Sequence, residues 1–118
     1  YQPNPAIQER LKPVTVALSV NKSDAEELGS FYLAMGDLIE ADSAVLQSTG
    51  QIRTALASRG SVMFGSRLKG KYPGLSQTVD SFLMEMIDSS NVPLSAELRS
   101  KAVDAMRSLG WACMEAAK

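Results

Sequence analysis

The string Gly65-Ser66-Arg67-Leu68-Lys69-Gly70-Lys71-Tyr72 sets three cations and a phenol among glycines. Glycines leave backbone N–H groups accessible, and a helix start just beyond favours negative charge, so the segment suits an anion. Its spacing follows the phosphate-binding G-x-x-x-x-G-K pattern up to the last position. That pattern then needs Ser or Thr to hold magnesium, and here Tyr72 stands instead. The residues before the string read as helix rather than strand, and no apolar strand ending in Asp supplies a second magnesium ligand. The expectation is therefore a coarser site, in which Arg67, Lys69, Lys71 and Tyr72 take an anion or a nucleic-acid backbone. Against it stands a plain solvated loop.

Carboxylates offer a second chemistry. Glu40 is followed by Asp42 and Glu85 by Asp88, and Asp37 and Glu40 stand three residues apart and share a helix face. Paired acids could serve a carboxylate-based hydrolase or a small-ligand-binding bundle. They cannot build a Glu-x-x-His metal bundle, because the chain has no histidine. The same lack removes Ser-His-Asp and Cys-His machinery. Cys113 is the single cysteine, so neither an internal disulfide nor a multi-cysteine metal site can form. Placed among Trp111, Ala112 and Met114, it reads as a small buried apolar residue. The segments starting at Asp37 and Asp88 lack the glycine and the closing glutamate of a calcium loop. No metal site and no cofactor are expected.

A third candidate is an apolar surface. Most of the six methionines and the aromatic side chains fall at helical spacing and belong to the core. Met63, Phe64 and Trp111 sit where that periodicity is least regular. They are the residues expected to face outward and to offer a partner or self-association surface.

Bulk properties narrow the choice. Twelve basic and 13 acidic residues leave a formal net charge of −1. No global field draws in nucleic acid, so a nucleic-acid partner is not expected. No run of about 18 apolar residues is present, so no membrane span is expected. The opening Tyr1-Gln2-Pro3-Asn4-Pro5 reads as the end of an extended linker, with residues 6–118 forming one helical domain. That reading suggests an upstream signal or anchor and hence an exported or membrane-attached protein.

The elements that position these residues are helices throughout. Asn4 and Pro5 read as an N-cap and first helical position. Ile7, Leu11, Val14 and Leu18 mark one face, with Pro13 dividing the run near Lys12. Ser23 and Glu26 form a capping box for the next helix, which carries Leu28, Phe31, Tyr32, Met35, Leu38 and Ile39. A third helix starts near residue 44 or near 50, with Ser48 or Thr49 as a cap. A fourth follows the basic loop, taken as 65–74. Ser95 opens the last, with Arg99, Lys101 and Arg107 mostly on its outer face. No alternating β-branched run appears. The expected fold is all-α, a compact bundle of about five helices with mostly antiparallel neighbours. Together these features favour a non-enzymatic helical interaction domain over the anion-binding and hydrolase readings.

Overall fold

The computed structural model describes residues 4–41, 46–61, 71–87 and 90–118. The fold is all-α, as expected. Among the described residues it comprises α1 (Pro5–Arg10), α2 (Lys12–Leu18), α3 (Lys22–Glu40), α4 (Thr49–Ser61), α5 (Pro73–Met86) and α6 (Ala96–Ala116). The count exceeds five because Pro13 splits the first helix. The break falls at Leu11, whose backbone leaves the helical region (φ −91°, ψ 3°). A proline ring at Pro13 removes an amide donor and crowds the preceding turn, so a new helix starts there instead.

Local signals set most helix ends. Asn4 accepts the Ala6 amide at 2.9 Å, with Pro5 in the first turn of α1. Ser95 accepts the Leu98 amide at 3.2 Å and opens α6. Ser48 caps α4 by accepting the Gln51 amide at 3.1 Å, while Gln51 Oε1 accepts the Gln47 amide at 2.7 Å. This reciprocal arrangement fixes the start of the third expected helix near 49 rather than 44. Two starts differ from expectation. Asn21, not Ser23, is the N-cap of α3, accepting the Asp24 amide at 3.2 Å. The α5 helix begins at Pro73, inside the stretch read as loop, because proline is pre-organised for the first helical position.

The α6 helix is the centre of the molecule. It buries side chains around most of its circumference, from Ala102 and Val103 through Met106 and Leu109 to Cys113 and Ala116. Leu28, Met35 and Ile39 of α3, Val14 and Leu18 of α2, and Val79 and Phe82 of α5 complete one continuous apolar cluster. Each of the larger side chains contributes about 1.5–3 kcal/mol on burial. No helix among the described residues is long and apolar enough to cross a membrane.

The α3 and α6 helices run antiparallel and approach closely at glycines. A Cβ on Gly110 would lie 2.7 Å from Leu33 Cγ and 3.3 Å from the Gly29 carbonyl oxygen. One on Gly29 would lie 2.7 Å from Met114 Sδ. Further along, a Cβ on Gly36 would lie 3.4 Å from Met106 Cβ and 3.3 Å from Arg107 Cγ, which is tight but tolerable. These positions therefore respond differently to alanine. Gly110→Ala gains about 1 kcal/mol of helix propensity. It also incurs an overpacking cost of about 1–3 kcal/mol, for a net loss near 1 kcal/mol. Gly36→Ala is expected to be neutral or stabilising by up to about 1 kcal/mol. Urea midpoints of the two variants check this, and a larger loss at Gly36 than at Gly110 would contradict the packing described.

Candidate functional site

The basic segment meets an anion from within the chain. Asp24 lies in the first turn of α3 and is 3% exposed. Lys71 Nζ donates to Asp24 Oδ2 at 3.0 Å, and Tyr72 Oη donates to the same oxygen at 3.0 Å. A buried carboxylate requires such partners to offset its desolvation. The described end of the expected anion site thus grips a residue of α3 and pins the start of α5 beside it. Arg67 and Lys69 lie outside the described residues, as do Met63 and Phe64 of the expected partner surface.

Asp37 and Glu40 are brought together, but in a setting opposite to that of a catalytic acid. Both are exposed on α3, and Arg107 of α6 reaches them. Its guanidinium donates to both oxygens of Glu40 at 2.9 Å and to Asp37 at 3.4 Å. The bond from Arg107 holds the Glu40 carboxyl below its usual range, with the charge of Arg107 adding to the effect. A general acid working near neutrality needs a raised value instead. Glu85 is likewise committed to an ion pair, with Arg10, which also stacks 5.2 Å above the Phe82 ring. Among the described residues no group of three or more potential metal ligands converges.

Arg99 and Arg107, expected on the outer face of α6, instead reach across to α3. Arg99 donates to the Ile39 carbonyl at 2.8 Å and to the Leu46 carbonyl at 3.4 Å. It places positive charge on the last turn of α3, where carbonyls lack helical partners. Lys101 does remain exposed. Trp111 is 38% exposed, and Lys118 Nζ lies 5.6 Å from its ring centroid. The outward position expected for Trp111 is therefore found, with a cation from the same chain over its face.

The site that sequence reasoning missed is an open cleft of about 710 Å³ between α3 and α4. Buried Met35 and Leu46 form its floor, with Leu38 and Ala55 on its sides. Ser48, Gln51, Thr54 and Asn91 supply hydrogen-bonding groups, and Arg53 is its one ionisable residue among those described. The volume falls in the range of small-ligand sites. Its signal in the sequence was slight: Leu38 at the edge of the α3 stripe, opposite the third expected helix, whose apolar face is narrow.

Behind the cleft, Thr49 joins two distant segments. Its amide donates to the Val92 carbonyl at 2.9 Å, and its hydroxyl accepts the Val92 amide at 3.0 Å while donating to the Ser90 carbonyl. The Leu94 amide donates to the Gln47 carbonyl at 2.9 Å, completing a short antiparallel bridge.

The buried acids bear on pH. Cys113 is buried as expected, and desolvation pushes its thiol from 9.0 up to about 12. Burial also raises Tyr32 well above its ordinary value, with Cys113 and Asp80 adding to the effect. Tyr72 is raised by desolvation and then by its bond to Asp24.

Compared with known protein families, with characterised proteins and with solved structures, the chain matches none.

Two predictions follow from these groups. Tyr72→Phe keeps the ring but removes a donor to a buried carboxylate, and is expected to cost about 1–2 kcal/mol. Lys71→Met, at a half-exposed position, should cost less, about 0–1 kcal/mol. Denaturant titration of both orders these two bonds to Asp24. The raised acids hold their protons more tightly folded than unfolded, so their contribution is complete below the unfolded values and declines as pH rises. For Cys113 the window runs from 9.0 to about 12. Cys113→Ala should flatten that alkaline decline, by up to about 1.4 kcal/mol per pH unit. An unchanged slope in denaturation curves across that window would contradict the assignment.

Proposed function

We propose that this chain is a non-enzymatic helical interaction domain that binds its partner or ligand through the cleft between α3 and α4. The cleft itself is the observation that supports this reading. Buried Met35 and Leu46 at its base, with Leu38 on one side, provide apolar area. Neutral hydrogen-bonding groups at Ser48, Gln51, Thr54 and Asn91 provide orientation. Small-molecule sites commonly combine these two elements. Three of the described groups weighed for chemistry are engaged elsewhere. Asp24 is held by Lys71 and Tyr72, Glu40 by Arg107, and the Cys113 thiol is buried and protonated.

A photo-crosslinking amino acid placed at Leu38 or Thr54, with Lys101 as an exposed control on α6, tests the proposal in cells of the source organism. Discrete adducts are expected from the two cleft positions and not from Lys101. Identical adduct patterns from all three positions would remove the cleft as a privileged face.

A further inference from the structure

We propose that the cleft takes a small amphipathic carboxylate, its oxygens bonded by Ser48 and Gln51 and its apolar body laid over Leu38 and Leu46. The inference rests on the cleft reading above and adds the chemical class of the occupant. Its basis is the direction of the hydrogen bonds that the cleft residues already make. Gln51 Oε1 accepts the Gln47 amide at 2.7 Å, which assigns the two ends of that side-chain amide and leaves Nε2 as its outer end. Ser48 Oγ accepts the Gln51 backbone amide at 3.1 Å, so its own proton is left to donate. Among the described residues, neither the Ser48 proton nor the Gln51 Nε2 group has an acceptor. Both side chains line the cleft. Thr54, about one turn further along α4, is used the opposite way: its hydroxyl donates to the Gly50 carbonyl at 3.0 Å and retains acceptor capacity alone. The start of α4 therefore presents the cleft with donors in search of an acceptor, concentrated at one end. A carboxylate matches them better than a neutral carbonyl, because bonds to an ionised acceptor are shorter and stronger. The charge of the described lining agrees, since its one ionisable side chain, Arg53, is a cation. Beside the donors, buried Leu46 and Leu38, which is 36% exposed, offer apolar surface to the rest of the molecule.

Octanoate and octylammonium test the head group, because they share an apolar chain and differ in the charge at its end. Each is titrated into the isotope-labelled chain while backbone and side-chain amide resonances are followed. Octanoate is expected to shift the Gln51 side-chain amide and the Leu38 and Thr54 backbone amides saturably, with a dissociation constant of about 1 mM. Octylammonium should bind at least about tenfold more weakly. Gln51→Glu keeps an oxygen for the Gln47 amide but replaces the donors with a negative charge, and should weaken octanoate by at least about tenfold. Lys101→Gln makes the same change in net charge at an exposed site of α6 and should leave octanoate binding unchanged. Equal affinity for the two probes overturns the proposal. So do octanoate shifts confined to residues outside the cleft, no saturable binding below about 10 mM, or equal weakening by the two substitutions. The comparison of the probes on the unaltered chain is decisive should Gln51→Glu not fold. Crosslinked adducts at Leu38 and Thr54 together with any of these failures would keep the cleft as a recognition face and remove the carboxylate alone. Octanoate seated in the cleft without such adducts would keep the carboxylate site and remove the macromolecular partner.

Discussion

The close approach of α3 and α6 is the constraint on which the rest of the structure depends. Helices packed through ordinary side chains keep their axes about 8–10 Å apart. At Gly29 and Gly110 there is no side chain to hold the backbones off, and each glycine receives a bulky side chain of the other helix. Leu33 fills the space over Gly110, and Met114 fills the space over Gly29. Each interior glycine costs about 1 kcal/mol of helix propensity relative to alanine. The return is a long antiparallel seam that carries Leu28, Met35 and Ile39 into one cluster with Met106 and Leu109.

The seam also sets the reach of the charged side chains beside it. Arg107 and Arg99 both start from α6, and both end on α3. Arg107 lies only 21% exposed along its side chain, its stem over Gly36 and its guanidinium on Glu40. A long cation can cover apolar surface with its stem while its head remains polar. Arg99 does the complementary work at the chain reversal, bonding the end of α3 and the start of the 46–49 segment. Besides their apolar packing, α1 and α2 bond to backbone carbonyls of α6. Thr15 donates to the Ala112 carbonyl at 3.1 Å and Gln8 to the Ser108 carbonyl at 3.4 Å.

What was legible in the sequence was what depends on near neighbours. The caps at Asn4 and Ser95, the break before Pro13 and the start near Ser48 each follow from residues within one turn. The α3 cap shows where that stops. Asn21-x-x-Asp24 and Ser23-x-x-Glu26 are both plausible starts two residues apart. The choice coincides with Asp24 turning inward to partners 47 and 48 residues away, which no local pattern reveals. The same separation hid the real setting of Lys71 and Tyr72. Their spacing suggested an anion, and an anion is there, but it is a carboxylate of the chain itself. The glycines inside α3 and α6 left the helical pattern unbroken. Their meaning required knowing which helix faced them. The cleft was least legible, because a void has no residue type of its own.

The acids whose titration is displaced lie outside the cleft. A catalytic acid or base must be held where its charged and neutral forms lie close in energy. Three of the described acids are displaced from that condition, in two directions. Glu40 is stabilised in its charged form by a bidentate arginine, while Cys113 and Tyr32 are stabilised in their neutral forms by burial. Both outcomes strengthen the α3–α6 seam, since each places a group in the state its surroundings favour most. A group settled in this way contributes to folding and is a poor proton donor or acceptor near neutral pH. The wall of α3 facing α4 is different. Leu38 stays partly in water there, although it belongs to the apolar stripe of α3. An apolar side chain left exposed beside hydrogen-bonding groups and open volume gains from being covered. That unrealised burial is the driving force available for recognition at this face.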